Sequence, residues 1–235
     1  MSIPTLPLVA GAAVLAIGMA YTLYGGAAAN RRRQEMAALA ARRGFTFSES
    51  PNYELGNEFS VFRPLDTGED KYAYNVIKGT ISNRDIFAFD YHYQTCTHVD
   101  RDGVEHAYQH GFSAVIVSSG VPLKFLMIRP RGFLAAAGEA LGDKPIEFES
   151  TEFNERYQVS AVDRRWAFDV LQPRAIALLL DAPLFHIEFD YNGVIAYPGS
   201  GSRLTVPEMD AAINLLVGLL DGLPEYLVKQ QRGES

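Results

Sequence analysis

Four of the five histidines, His92, His98, His106 and His110, sit in one stretch with Asp90, Cys96, Asp100, Asp102 and Glu105. Imidazole, thiolate and carboxylate are the ligands of zinc and the groups of acid–base and nucleophilic catalysis, so this stretch could carry metal-dependent or cysteine-dependent hydrolysis. Alternating apolar and polar residues around Asp102-Gly103 predict the two strands of a hairpin. At about 3.3 Å per residue, His92 and His98 stand roughly 20 Å apart and His106 and His110 roughly 13 Å, so no ion is shared along one strand. A site must draw ligands from both strands, and that depends on register. With Asp102-Gly103 as a two-residue loop, Phe89 pairs with Ile116, Tyr91 with Ala114 and Tyr93 with Phe112, and His98 and His106 point to opposite faces. With a three-residue loop ending at Gly103, His98 faces His106, but the aromatic residues lose their apolar partners. Burial favours the first register. The expectation is therefore no metal site, with His98 and His106 as the candidates should the second register hold.

Other chemistry-bearing residues have plainer readings. Cys96 shares its side of the strand with His98, yet a free cysteine in a strand is ordinarily packed, and reactivity needs a lowered pKa. As the single cysteine it forms no intramolecular disulfide and no multi-cysteine zinc site. His186, Glu188 and Asp190 alternate with Phe185, Ile187, Phe189 and Tyr191, as the polar face of a half-buried strand does. Pro198 to Arg203 has the glycines of a phosphate loop but lacks the Gly-Lys-Ser/Thr ending and the βαβ setting, so it reads as a turn. No cofactor is expected.

The elements that would position these residues begin with Phe45 to Ser48, an alternating strand after Gly44. Pro51 to Lys71 reads as an irregular loop or weak hairpin around Phe59 to Phe62. Strands follow over Ala73 to Ile81, Ile86 to Val99, Glu105 to Ser118 and, after a break at Ser119 to Pro122, Leu123 to Ile128. A helix is expected from Phe133 to Leu141, a strand from Ile146 to Phe148 and extended chain from Arg156 to Ala161. Arg164 to Leu180 is helical with Pro173 kinking or splitting it. Asn192-Gly193 predicts a hairpin turn, and the capping box Thr205 with Glu208 starts a last helix ending at Gly222 and Pro224. The fold class is α+β: a largely antiparallel sheet with helices packed on one face.

The N-terminus is different in kind. No charged residue occurs from Ile3 to Ala29, and the apolar run is long enough to cross a hydrocarbon core of about 30 Å as a helix. The expected organisation is a transmembrane anchor over 1–29, a basic linker helix over 30–43, an α+β domain over 44–230 and a tail over 231–235. Cleavage at Ala27 to Ala29 is the rival reading, against which no Lys or Arg precedes the run. Arg31, Arg32, Arg33, Arg42 and Arg43 follow it and form a membrane-proximal basic set. The positive-inside bias then puts the N-terminus outside and the domain in the cytoplasm of a bacterial inner-membrane, single-pass protein. The chain as a whole is nevertheless acidic, with net charge −7, which argues against nucleic acid as a partner. The 14 Phe and 12 Tyr provide for a sizeable core.

Phe153 to Val159, then Asp163, Ala167, Leu171, Pro173, Leu179 and the strands flanking Asn192-Gly193, resemble a block in uncharacterised bacterial membrane-anchored proteins known only as a domain of unknown function. The resemblance covers Phe153 to Tyr197. It implies an anchor near the chain start and offers no catalytic residues; on it, Phe153, Tyr157 and Val159 share one strand face. The functional expectation is a membrane-anchored, non-enzymatic interaction or regulatory module. Its partners are membrane lipid through the N-terminal helix and a membrane protein or a second copy. The alternative is a metal- or cysteine-dependent hydrolase on the hairpin 90–110.

Overall fold

The computed structural model describes residues 26–99, 105–132, 145–199 and 202–232, with the backbone alone at 96–99 and 105–106. Most of the expected span 1–29 and the helix expected from Phe133 to Leu141 lie outside the described residues. Among the described residues, no single helix is long and apolar enough to cross a membrane.

The chain is α+β with an antiparallel sheet of six strands. β1 (Thr46–Ser48), β2 (Glu69–Ile81), β3 (Arg84–Val99), β4 (Glu105–Pro130) and β5 (Tyr157–Ala161) are neighbours in that order, and β6 (His186–Tyr197) pairs with β4. Ser82 and Asn83 close the β2–β3 hairpin at φ 50° and 60°. Two successive left-handed residues are what a two-residue type I′ loop requires.

Between β3 and β4, Phe89 pairs with Ala114, Tyr91 with Phe112 and Tyr93 with His110. The expected partner of Phe89, Ile116, is displaced by two residues. Side chains alternate with period 2, so this slip leaves every residue on its expected face, and burial does not distinguish the two registers. A shift between Cys96 and His98 then changes register again, and near the tip His98 pairs with His106, the pairing of the disfavoured alternative.

The expected break at Ser119 to Pro122 does not end β4, but β4 and β6 both double back. Twelve extended residues would place the ends of β6 roughly 36 Å apart. Instead the rings of its end residues, His186 and Tyr197, lie 5.4 Å apart. Ile187 and Phe189 before Asn192, and Val194 and Ala196 after it, also enter the same core. The chain therefore reverses near Asn192-Gly193. Because Ile187 pairs with Ile128 and Ala196 with Val115, β4 reverses too, around the tip of β6. Gly120 at φ 70° and the Ser119 hydroxyl bonded to Val121 O shape that bend. Gly193 is needed for proximity, since a Cβ there would sit 2.7 Å from Val117 O.

Helices cover both faces of the sheet, not one. α1 (26–43), α4 (Thr151–Arg156), α5 (Arg164–Val170), α6 (Pro173–Asp181), α7 (Val206–Asp221) and α8 (Glu225–Arg232) contribute to the core that includes Ile86 and Ala88. The other face carries Phe87, Phe89 and Tyr91 and is covered by Leu55, Phe59, Phe62 and Leu65. These belong to, or adjoin, the one-turn helices α2 (Leu55–Glu58) and α3 (Arg63–Asp66), where a loop or weak hairpin was expected. β3 is apolar on both sides, so a second cover is obligatory.

Two further expectations are corrected or resolved. Phe153 lies in α4, whose N-cap Ser150 accepts from Phe153 N, so it shares no strand face with Tyr157 and Val159. Pro173 splits the predicted long helix, with Asp163 capping α5 and Pro173 opening α6. α7 starts at the Thr205–Glu208 capping box.

Candidate functional site

Along the side of β3 that faces α1, Ile86 and Ala88 are followed by Asp90, which is 0% exposed. A buried carboxylate needs donors, and four side-chain bonds supply them. Arg32 of α1 donates Nε to Oδ2 at 3.2 Å and Nη2 to Oδ1 at 2.7 Å, a bidentate fork. Ser113, directly opposite on β4, donates to Oδ1 at 2.7 Å, and Asn75 donates to Oδ2 at 2.9 Å. Asn75 reaches inward because it holds φ 51° at a register shift between Tyr74 and Ile77. The remaining Arg32 amino group, Nη1, donates to Leu204 O at 2.6 Å.

Helical spacing brings Arg32 to that place. It lies one turn before Met36 and on the same stripe as Leu39 and Ala40, all three buried in the core. At the far end of the stripe Arg43 bonds Asp210 and Asn214 of α7. The basic set read from the sequence thus divides: Arg32 and Arg43 dock α1 onto the domain, whereas Arg31, Arg33 and Arg42 are exposed. Arg31 pairs with Glu35 one turn on, and Arg33 stands 3.7 Å from Glu49.

A cleft of about 510 Å³ opens beside the network, lined by Arg32, Arg33, Tyr72, Tyr74, Asn75 and Arg203 among others. Arg203 donates to Tyr74 Oη at 2.6 Å with its guanidinium 5.7 Å over that ring. The rings of Tyr53, Tyr72 and Tyr74 follow one another at 5.4 and 5.9 Å. His92 packs its ring 4.7 Å from Tyr72, and His110 stacks on Tyr93 and bonds Thr95. An apolar groove of about 640 Å³ lies elsewhere, between residues 148–150 and the α5–α6 junction, with Phe168 on its wall 45% exposed.

Of the β6 residues expected on a solvated polar face, Glu188 is instead buried, whereas His186 and Asp190 keep partial exposure. Glu188 is 0% exposed, accepts one bond from Arg63 N at 3.3 Å, and leaves Oε2 without a partner among the described residues. Burial pushes its carboxyl up to about 7, against the opposing bond and charge of Arg63. Burial, with the positive charge of Arg129, lowers His186 to about 4. Burial likewise raises the Tyr197 hydroxyl, helped by Glu188. A carboxyl closed off in this way touches no solute.

His98 and His106 are brought opposite each other by the backbone register. Among the described residues no group of three or more His, Cys, Asp or Glu could hold a metal ion. Sequence reasoning missed the Arg32–Asp90 pair, 58 residues apart. One signal existed: the alternation of β3 puts Asp90 on the side of Ile86 and Ala88, where a lone carboxylate demands a cation.

No family model and no curated protein matches the sequence. The fold is similar to the crystal structure of the mycobacterial trehalose monomycolate transport factor A, TtfA, with a TM-score of 0.52 and 16% identity, over 81% of this chain and 92% of that one. At that identity the likeness is one of fold, so the Phe153 to Tyr197 resemblance has a structural neighbour but no family shown for it.

Proposed function

We propose that this chain is a non-enzymatic interaction module, anchored in a bacterial inner membrane by residues 1–29 with its domain in the cytoplasm, serving as an accessory to a membrane transport assembly. The observation that carries the reading is the docking of α1. The helix that follows the apolar run is fixed to the sheet by the Arg32–Asp90 fork and by Met36, Leu39 and Ala40. An anchor joined this way holds the domain in a set orientation, which suits a part that must meet a neighbour in the same membrane. The groove carrying exposed Phe168 offers an apolar surface of the kind partners use. A fold shared with a protein described as a transport factor supports the same reading.

A photo-crosslinking amino acid at position 168 of the full chain, in native membranes, tests it. The expected product is an adduct with an integral membrane protein or with a second copy of this chain. Adducts absent there and absent from positions along α1 would overturn the reading, as would release of the full chain from membranes by alkaline carbonate.

A further inference from the structure

We propose that the cleft between α1 and the tyrosine row of β2 binds the phosphate of an anionic membrane-lipid headgroup. This rests on the anchored reading above. Ala29, the last residue of the apolar run, lines the cleft together with Arg32 and Arg33, about one turn beyond it. Three to four residues span about 5–6 Å in a helix. The polar layer of one leaflet is roughly 5–8 Å deep. If the apolar run spans the bilayer, the cleft therefore opens at the headgroups and not in bulk solvent.

The lining fits such a ligand. Arg32, Arg33 and Arg203 face one acid, Glu49, in a chain whose net charge is −7. The three cations play different parts. Arg32 has its fork on Asp90 and its third nitrogen on Leu204 O, so it holds the wall, its charge matched by that carboxylate. Arg33 is 47% exposed and stands 3.7 Å from Glu49, beyond hydrogen-bond distance, leaving its guanidinium able to exchange that loose pair for a phosphate. Arg203 spends one bond on Tyr74 and carries further N–H donors on the same planar group. Tyr72 and Tyr74 add hydroxyls and ring faces side by side, the residue type that favours the membrane–water interface. Arg33 and Arg203 are thus the groups that touch the phosphate.

A soluble phosphate ester has the same chemistry, so the test separates the two sources. Detergent-solubilised full chain is titrated with dihexanoyl phosphatidylglycerol, dihexanoyl phosphatidylcholine and glycerol 1-phosphate while its Tm is followed. Flotation of the full chain with phosphatidylcholine vesicles is scored separately. The expected result is a saturable rise in Tm with phosphatidylglycerol alone. Its midpoint weakens at least tenfold in an Arg33→Gln/Arg203→Gln variant and is unchanged in an Arg31→Gln/Arg42→Gln variant of the same charge. An equal response to glycerol 1-phosphate would transfer the site to a soluble ester and overturn the lipid assignment. An equal response to phosphatidylcholine, or an equal loss in both variants, would reduce it to general surface attraction. No rise in a chain that floats overturns the headgroup site and leaves the anchor intact, whereas a chain that does not float overturns the anchored reading itself.

Discussion

Replacing Arg32 by methionine keeps the unbranched stem of the side chain and removes the cation from Asp90. Asp90 is 0% exposed, and of its four donor bonds two come from Arg32, leaving Ser113 and Asn75. Breaking a buried pair from one side leaves an uncompensated charge and costs about 3–5 kcal/mol. Total stability is about 5–15 kcal/mol for a domain, so the loss is a large share of it. Asp90→Asn keeps the shape but leaves one acceptor oxygen, so two of the four donors lose their partner while the Arg32 side chain, 15% exposed, still reaches water, and the expected loss is smaller, about 1.5–3 kcal/mol. The double variant Arg32→Met/Asp90→Leu should recover most of the Arg32→Met loss, because an apolar pair leaves no orphaned charge. Urea unfolding of the detergent-solubilised full chain, followed by fluorescence, measures all three. The single tryptophan, Trp166, is 2% exposed and reports on the core. Trypsin supplies a local readout, since a released α1 offers Arg31, Arg33 and Arg42 to the protease. If Arg32→Met moves the urea midpoint no further than Arg31→Met, and the cycle's coupling stays below about 0.5 kcal/mol, the fork does not dock α1 and the account of the anchor's attachment fails.

The β6 acid and histidine predict opposed pH dependences. Glu188 is raised from 4.5 to about 7, so the folded state holds its proton longer and stability falls as pH rises through that window. His186 is lowered from 6.5 to about 4, so the unfolded state binds the extra proton and stability rises with pH over a nearly coincident window. The wild-type urea midpoint should therefore be nearly flat between pH 4.5 and 6.5, rise with pH in Glu188→Gln and fall with pH in His186→Gln. At pH 8 Glu188→Gln should be the more stable protein by about 3 kcal/mol, at roughly 1.4 kcal/mol per pKa unit; parallel profiles in all three proteins would refute the coupling. Gly193→Ala should lose about 1–3 kcal/mol by driving a methyl against Val117 O, whereas Gly26→Ala, with nothing within 4 Å, should lose none. Calorimetric titration with zinc tests the hydrolase alternative: uptake by the full chain that vanishes in His98→Ala/His106→Ala would establish a metal site at the paired histidines, and no uptake would end that reading.

Elements with short-range signals were legible before the structure: the Thr205–Glu208 capping box, the break between the strands ending at Ile81 and starting at Ile86, and the interruption at Pro173 each act over a few residues. The β3–β4 register was not, because a period of two selects a face and is blind to a slip of two residues. Gly, Pro and acids concealed α2 and α3, although Phe59, Phe62 and Leu65 recur at three-residue spacing and all face the second core. The cleft was hidden for a different reason. Arg32, Tyr74 and Arg203 are far apart in the chain and meet through α1 docking and a register shift in β2, neither of which leaves a local pattern. Glu188 was misread because its strand alternates as a half-exposed one does, while α3 arrives from 125 residues away to close over it.

The interlocked bends of β4 and β6 set an order of assembly. β4 opens its two arms by residue 130, yet the chain that lies between them is β6, which begins at His186. During synthesis both arms wait with unpaired edges while more than fifty further residues emerge. Pairings of such long sequence separation slow folding, because loop-closure entropy is spent before the contacts form. The nascent chain waits in that open state, which makes the interval before β6 enters the stage most exposed to misassembly.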